Sequence, residues 1–400
     1  MPSAFDHRPD SFHLDMDSRE NVSLPVRELE ARLHDHVQFS KNRQVTSTME
    51  APPTVASPSG MSSKPTPHTL PHLSIPSDIH RNEGITPDTP ASLSSPITGV
   101  VDLTKSVKTL NSSPATTGGF SDIYRGEWTR TSSGNDNPGT KGEAVLVAIK
   151  LLRVLTVHDE DYSKARRRLN REVYIWHRLE HPNIVKLFGT SYHMCGRPSM
   201  VMRWYQNGSA SDYLSERVDA DINRMALVLD VAQGLKYLHT LTPPIVHGDL
   251  KGNNVLITDD GRAALSDFGL SQVIEDLLEG PTGFTPSNPQ VGPPRWQAPE
   301  LLEDDALQPG LETDVWSFGC TAYELLTGNL PYHYRLRDAM VIREIQHRIK
   351  PPGPGGLVID GSDGTIEDLL ENFCWSFEAN YRLDMTELVS ALINICAYSP

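Results

Sequence analysis

HGDLKGNNVLI, His247–Ile257, is the stretch on which the reading of this chain turns. It sets a carboxylate (Asp249), a cation two positions on (Lys251) and a neutral oxygen donor (Asn254) between a helical pattern and a short apolar run. SDFG, Ser266–Gly269, follows closely and adds a second carboxylate, Asp267. A carboxylate and an amide oxygen are hard ligands, the type that magnesium prefers. Asp249 is left as a proton acceptor and orienting group.

Working outward from this stretch, the sequence supplies what phosphoryl transfer from a nucleotide requires: phosphates and metal positioned, charge neutralised, an acceptor hydroxyl oriented. Toward the amino terminus, VAIK places Lys150 in an apolar strand pattern, from which it can reach a nucleotide's inner phosphates. Glu172 lies on the next helical stretch, DYSKARRRLNREVYIWHRLE, and can steady that lysine. Toward the carboxyl terminus come QAPE, 297–300, and DVWSFG, 314–319. Each fragment alone is commonplace; the ordered set is specific.

The strand-like runs come first: GFSDIYRGEW, EAVLVAIKLL, IVKLFGTSY and PSMVMRWY. Helical periodicity then dominates in NRMALVLDVAQGLKYLH, DVWSFGCTAYELLTG and TELVSALINICAY. The expected architecture is α+β: a small strand-rich lobe followed by a larger helical one.

The first quarter of the chain differs in texture. All 6 Trp and all 12 Tyr lie beyond Phe120, and before it the aromatic residues are Phe5, Phe12 and Phe39. Residues 46–96 are rich in Pro, Ser and Thr. Such a segment cannot offset its ordering entropy by burial. Residues 1–98 are therefore expected to be a disordered tail and 99–397 the folded domain. Val26, Leu29, Leu33 and Val37 recur at helical spacing, so a short helix is expected near 26–39, one that could fold against a regulatory partner or the domain. Ser57, Thr66, Thr86, Thr89 and Ser95 each precede proline, which is also what such linkers ordinarily contain.

A net charge of −15 and a pI near 5.4 argue against broad nucleic-acid binding. The basic run KARRRLNR, 164–171, reads as the solvated face of the helix bearing Glu172. The four cysteines, Cys195, Cys320, Cys374 and Cys396, show no metal-ligand spacing and read as reduced thiols. No apolar run approaches membrane-spanning length, and charges close to Met1 do not read as a secretory signal. A cytoplasmic protein is expected, with nuclear entry left open.

The motifs together resemble a eukaryotic protein kinase from about Val100 to Cys396. GGFSDIYRG, HPNIV, PRWQAPE and DVWSFG are most similar to the tyrosine-kinase-like group of serine/threonine kinases, and HGDLKGNN to its fungal members. The resemblance implies a bilobal kinase fold, use of ATP and Mg2+, and protein substrates with Ser or Thr acceptors. It implies that Lys150 contacts the α- and β-phosphates and pairs with Glu172, that Asp249 and Lys251 act on the acceptor and the transferring phosphoryl, and that Asn254 and Asp267 bind magnesium. It further implies that Gly118 belongs to the phosphate-covering loop, that Ile123 and Ala148 roof the adenine, and that Leu256 is its floor. Met202 is then the gatekeeper, with Arg203, Trp204 and Tyr205 as the hinge. His247, Phe268, Trp176 and Leu187 fall where the family stacks its regulatory spine, and Glu300 should pair with Arg382.

Three departures qualify the resemblance. Residues 116–121, TTGGFS, keep only Gly118 in register with the family's G-x-G-x-x-G, which predicts looser nucleotide binding. Gly248 replaces the arginine that usually precedes the catalytic aspartate, removing a charge that would read activation-segment phosphorylation. Pro293 replaces a Ser or Thr, as tyrosine kinases do, whereas Lys251 resembles serine/threonine kinases. A serine/threonine kinase leads; a tyrosine or dual-specificity kinase and a pseudokinase scaffold stay open.

Overall fold

β-Branched and apolar residues in the first half of the domain assemble one antiparallel sheet. A computed structural model describes residues 97, 99–117, 121–130, 143–152, 160–194, 198–217, 221–268, 293–303, 307–353, 356–359 and 364–398. The sheet contains β1 (Val107–Thr109), β2 (Thr116–Thr117), β3 (Ser121–Arg130), β4 (Glu143–Leu152), β5 (Leu187–Ser191) and β6 (Ser199–Arg203). Its order is β1-β3-β4-β6-β5, with β2 paired to β3. β4 is central and covered on both faces, so EAVLVAIKLL reads as a nearly unbroken apolar run rather than an alternation. Leu103, Val107, Val147, Ile149 and Val201 form the core on one side. Between β4 and β5 runs helix α1 (Glu160–Arg178), whose Trp176 is buried and donates its indole N–H to the Val185 carbonyl at 2.8 Å.

The remainder is helical. α2 (Ala210–Glu216) starts on a Ser209 cap whose hydroxyl accepts from the Asp212 N–H. α3 (Arg224–Thr240) is capped by Asn223 in the same way, Ala226 N donating at 2.9 Å. A two-stranded ribbon, β7 (Val255–Ile257) and β8 (Ala263–Leu265), follows the catalytic stretch. Then come α4 (Pro299–Glu303), α5 (Leu311–Thr327), α6 (Asp338–Gln346), α7 (Thr365–Leu369) and α8 (Met385–Tyr398). α5 is buried over nearly its whole length, from Thr313 to Leu325, and is the axis on which the helical part is built. Arg224 ties α3 to it, donating to the Leu325 carbonyl at 2.7 Å.

The strand-rich and helical portions are as expected. β4 matches its sequence run residue for residue, whereas β1, β2 and the β7–β8 ribbon are two- or three-residue elements below the resolution of period counting. Residues 1–96 of the expected tail, with its candidate helix near 26–39, Gly118, Cys195, residues 269–292 and the side chains of 164–168 lie outside the described residues, whereas Ile97, placed in the expected tail, is buried. Cys320 and Cys374 are free and buried and Cys396 is free and exposed; burial pushes all three thiols up. Among the described residues no helix is long and apolar enough to cross a membrane.

Candidate functional site

Asp249 lies in the loop between α3 and β7, and its surroundings leave its carboxylate one orientation. Lys251 Nζ donates to both of its oxygens at 2.8 and 2.7 Å. Asn254 Nδ2 donates to the Asp249 carbonyl at 2.7 Å and to Oδ2 at 2.9 Å. Asn254 has thus spent its amide N–H groups on Asp249, so its remaining carbonyl-type oxygen is the atom available to a metal. The Asn254 backbone carbonyl in turn accepts from Ser266 N at 2.9 Å and Ser266 Oγ at 3.0 Å, joining the loop to the residue before Asp267.

Below this array Asp314, in the first turn of α5 and 1% exposed, accepts three bonds. His247 N donates at 2.6 Å, Gly248 N at 2.9 Å and His239 Nε2 at 2.9 Å. Gly248 turns the chain through φ 76°, a left-handed backbone that glycine adopts without cost. The glycine that departs from the family wording therefore suits the backbone it occupies.

His247 is fully buried, and burial lowers its imidazole pKa below the ordinary value against the opposing pull of Asp314, Asp249 and Asp267. A neutral ring fits its contacts: its Nδ1 accepts from Asp249 N at 3.3 Å, and Phe268 meets it edge-on at 6.2 Å. Phe268 packs on Trp176 of α1 at 4.8 Å, and Leu187 is also fully buried. Three of the four expected spine residues thus form one run of ring contacts between the helical part and α1.

On the sheet side Lys150, 8% exposed, points from β4 to Asp267, with Nζ 2.5 Å from Oδ2. Asp267 holds φ 63°, unusual for a non-glycine residue, and such a conformation persists only where its surroundings impose it. Glu172 is half-buried on α1. β-Pairing sets the expected adenine residues in register: Ile123 opposite Lys150, Ala148 opposite Met202 and Leu187 also opposite Met202. The strand ends at Arg203, and Trp204 N donates to the Leu146 carbonyl at 3.4 Å. Arg203 bonds Asp259 at 3.1 Å, and burial raises the neighbouring Tyr205 phenol. Leu256 stands on β7, bridged to Ser209.

A hollow opens against Asp249, walled by Gly248, Pro293, Trp296, Gln297 and Thr313. The wall is itself anchored. Arg382, its side chain fully buried, forms a two-pronged pair with Glu300 at 2.6 and 2.8 Å, fixing α4 to the segment before α8. Among the described residues no group of three or more His, Cys, Asp or Glu converges on a point.

Reading the sequence alone missed the part played by Asp314 and by Glu324, another buried acid of α5. The signal was present but faint: acidic residues inside an otherwise apolar helical pattern, where a charge needs partners.

The chain matches the family model "Protein tyrosine and serine/threonine kinase" over residues 112–392. It is similar to the probable serine/threonine-protein kinase drkC of Dictyostelium discoideum, 31% identical over 69% of this chain and 33% of that one. It is 33% identical to the serine/threonine-protein kinase TNNI3K of Mus musculus over 46% of this chain and 21% of that one. A third relative is the serine/threonine/tyrosine-protein kinase HT1 of Arabidopsis thaliana, 27% identical over 62% of this chain and 59% of that one. The chain spans a third of drkC and a fifth of TNNI3K. With 112–392 matched and the site built as above, the chain belongs to the protein tyrosine and serine/threonine kinase family.

Proposed function

We propose that the chain transfers the γ-phosphoryl group of Mg·ATP to a protein hydroxyl, with Ser or Thr as the preferred acceptor, and that 99–397 is the catalytic domain. The observation that carries this reading is the bonded array Asp249–Lys251–Asn254 beside the Lys150–Asp267 pair. Mg·ATP, when bound, supplies the phosphoryl group and a divalent charge that stabilises its transfer. Asp267 and the free oxygen of Asn254 are suited to hold the metal. Lys150 is suited to hold the inner phosphates, and Glu172 is suited to steady its ammonium. Asp249 orients the acceptor hydroxyl and takes its proton, while Lys251 fixes the Asp249 carboxylate and faces the developing charge. Ile123, Ala148 and Leu256 form the adenine slot, read at its edge by the backbone from Arg203 to Tyr205 and bounded by Met202.

Intact Lys150, Asp249 and Asp267 favour an enzyme over a scaffold. A tyrosine acceptor is the second reading, and Pro293 is the observation in its favour: at this position in the wall of the hollow a proline offers no hydroxyl to bond Asp249 or Lys251. The test is to incubate the purified chain with labelled ATP and a mixed library of Ser, Thr and Tyr peptides and identify the labelled amino acid. Phosphoserine or phosphothreonine is expected. Phosphotyrosine alone overturns the acceptor preference, and no label overturns the enzyme.

A further inference from the structure

GVVDLT, 99–104, precedes the first strand and belongs to none of the motifs of the site, but it joins two elements of the nucleotide side. One end lies along β5 through a parallel bridge between Asp102 and Thr190. Leu103 N donates to the Thr190 carbonyl at 2.7 Å, and Thr190 N donates to the Val101 carbonyl at 2.9 Å. Gly189 makes this approach possible, since a Cβ there would overlap the Val101 carbonyl oxygen. Thr104 fixes the register: its hydroxyl donates to the Asp102 carboxylate and accepts from Tyr192 N at 3.0 Å. Leu103 enters the core formed with Val147 and Ile149 of β4.

The other end meets α1. Gly99 turns through φ 79° against the Tyr174 ring, so closely that a Cβ would stand 2.8 Å from Cε2. Tyr174 is 7% exposed, and Arg178, one turn on, covers its ring at 3.8 Å. Successive helical residues are about 100° apart, so Tyr174 stands about 200° round α1 from Glu172, on the opposite face. Trp176 stands only about 40° from Glu172 and packs on Phe268. The Gly99 contact therefore backs the helix on the face away from Glu172.

We propose that residues 99–104 are a brace, anchored on β5 and set against Tyr174, that holds α1 where Glu172 steadies the Lys150 ammonium, and so sets nucleotide affinity. Thr104, Tyr174 and Gly189 are its positioning residues and act through Glu172. This rests on the transferase reading above, in which Lys150 holds the phosphates. Gly189→Ala drives the Val101 carbonyl off β5, and Tyr174→Ala removes what the brace bears on. Thr104→Val takes away the bonds to Asp102 and Tyr192, whereas Thr104→Ser keeps the hydroxyl and Tyr174→Phe keeps the ring.

The experiment makes these five variants in the full chain, each alone and each combined with Glu172→Gln. Initial rates are measured against ATP and against the peptide mixture, and Mg·ATP binding is followed by thermal-shift titration. Gly189→Ala and Tyr174→Ala should raise the ATP KM and weaken Mg·ATP binding about tenfold, and Thr104→Val about threefold, with the acceptor KM unchanged. Thr104→Ser and Tyr174→Phe should match the wild type. In the Glu172→Gln background the same changes should lower the melting temperature as before but raise the ATP KM no further, because the residue they act through is already lost. A rise of equal size in both backgrounds, acceptor and ATP parameters worsening together, or a lower melting temperature with an unchanged ATP KM would each overturn the proposal. If the wild type transfers no phosphate, the transferase reading falls, and the Mg·ATP titrations alone decide the brace; a wild type that gains nothing from Mg·ATP sinks both. Should Gly189→Ala or Tyr174→Ala not fold, Thr104→Val set against Thr104→Ser carries the same comparison.

Discussion

The two sides of the site are built on different principles. On the acceptor side, α5 lends a buried carboxylate to each end of the catalytic stretch: Asp314 to His247 and Gly248, Glu324 to Gly252 and Trp296. These bonds are made by acids buried in α5, and with Lys251 and Asn254 bonded to it the carboxylate of Asp249 is oriented before any substrate arrives. On the nucleotide side Lys150 pairs with Asp267, two groups to which the proposed function gives other work when a nucleotide is held. Their side chains are 10% and 21% exposed, against 1% for Asp314. A preset acceptor side avoids reorganisation at the moment of transfer, whereas the Lys150–Asp267 pair is one that phosphates and metal would share once held. The comparison predicts that variants separate cleanly by the side they strike.

Asp267→Ala strikes the nucleotide side hardest. It removes both the proposed metal ligand and the partner of Lys150, so turnover with Mg·ATP should fall below detection. In thermal-shift titrations the wild type should gain stability from ATP only with Mg2+ present, and the variant should gain nothing from the metal. A variant that keeps the metal-dependent gain would remove Asp267 from the metal site.

Asp249→Asn strikes the other side. Loss of an orienting general base typically costs about 10²–10⁴ in rate. Lys251 and Asn254 would keep an amide oxygen to bond, so the loop should hold its shape and Mg·ATP binding should match the wild type. Unchanged turnover would exclude Asp249 from the mechanism; lost nucleotide binding would show that the two sides are not separable.

A residue outside the chemistry tests the presetting itself. Asp314→Ala leaves the His247 and Gly248 N–H groups without their acceptor in a buried place, a loss of roughly 1–3 kcal/mol for each unsatisfied group. Both stability and acceptor turnover should drop, with Asp314→Asn milder because its amide oxygen can still accept. A stable, fully active alanine variant would mean that the loop needs no such anchor.

These anchors also mark where the sequence was hard to read. VAIK, HGDLKGNN and SDFG carry their chemistry locally: an apolar strand context for Lys150, and a few residues' spacing among Asp249, Lys251 and Asn254. β4 and α3 were legible for a related reason, since elements of 10 and 17 residues are long enough to leave a clear pattern. β1, β2, β7 and β8 are too short to have a period. Asp314 and Glu324 could be seen as acids in an apolar helix, but their partners lie 28 to 113 residues away in sequence, and only folding brings those together. Likewise nothing local could show that Lys150 meets Asp267, 117 positions further along, in this arrangement.

The pH dependence of folding gives a smaller and sharper test. Burial raises the Glu324 carboxyl above its ordinary value, opposed by bonds from Ser211, Gly252 and Trp296 and by the field of Lys251. Between the ordinary and the raised value the folded chain binds more protons than the unfolded one. This group's contribution to stability therefore falls as pH rises through that window and stays at its lower level above it. Glutamine carries no such cost, so Glu324→Gln should melt at or slightly above the wild-type temperature at neutral pH, and the gap should narrow as pH is lowered through the window. A gap that widens on acidification would mean that the carboxylate, not the neutral form, is what the fold favours.

The smallest effect is expected from the longest cut. Residues 1–95 hold only three aromatic residues, so deleting them removes little that could be buried. Just after that point come residues buried in the domain. Ile97, Val100 and Leu103 are 6%, 9% and 3% exposed. Leu103 N donates to the Thr190 carbonyl at 2.7 Å, Thr190 N to the Val101 carbonyl at 2.9 Å, and Tyr192 N to Thr104 Oγ1 at 3.0 Å, so this segment covers the free edge of β5. Deletion of 1–95 should leave acceptor and ATP kinetics within about threefold and the melting temperature within about 3 °C, which corresponds to roughly 1 kcal/mol. Deletion of 1–104 uncovers the β5 edge and three buried side chains, each worth about 1.5–3 kcal/mol, and should lower the melting temperature by roughly 10 °C or more. Equal stability of the two truncations would show that the edge contact is idle. A large loss of activity from the shorter cut alone would mean that residues before Ile97 act on the domain, and the acceptor and nucleotide assays would then tell which side they reach.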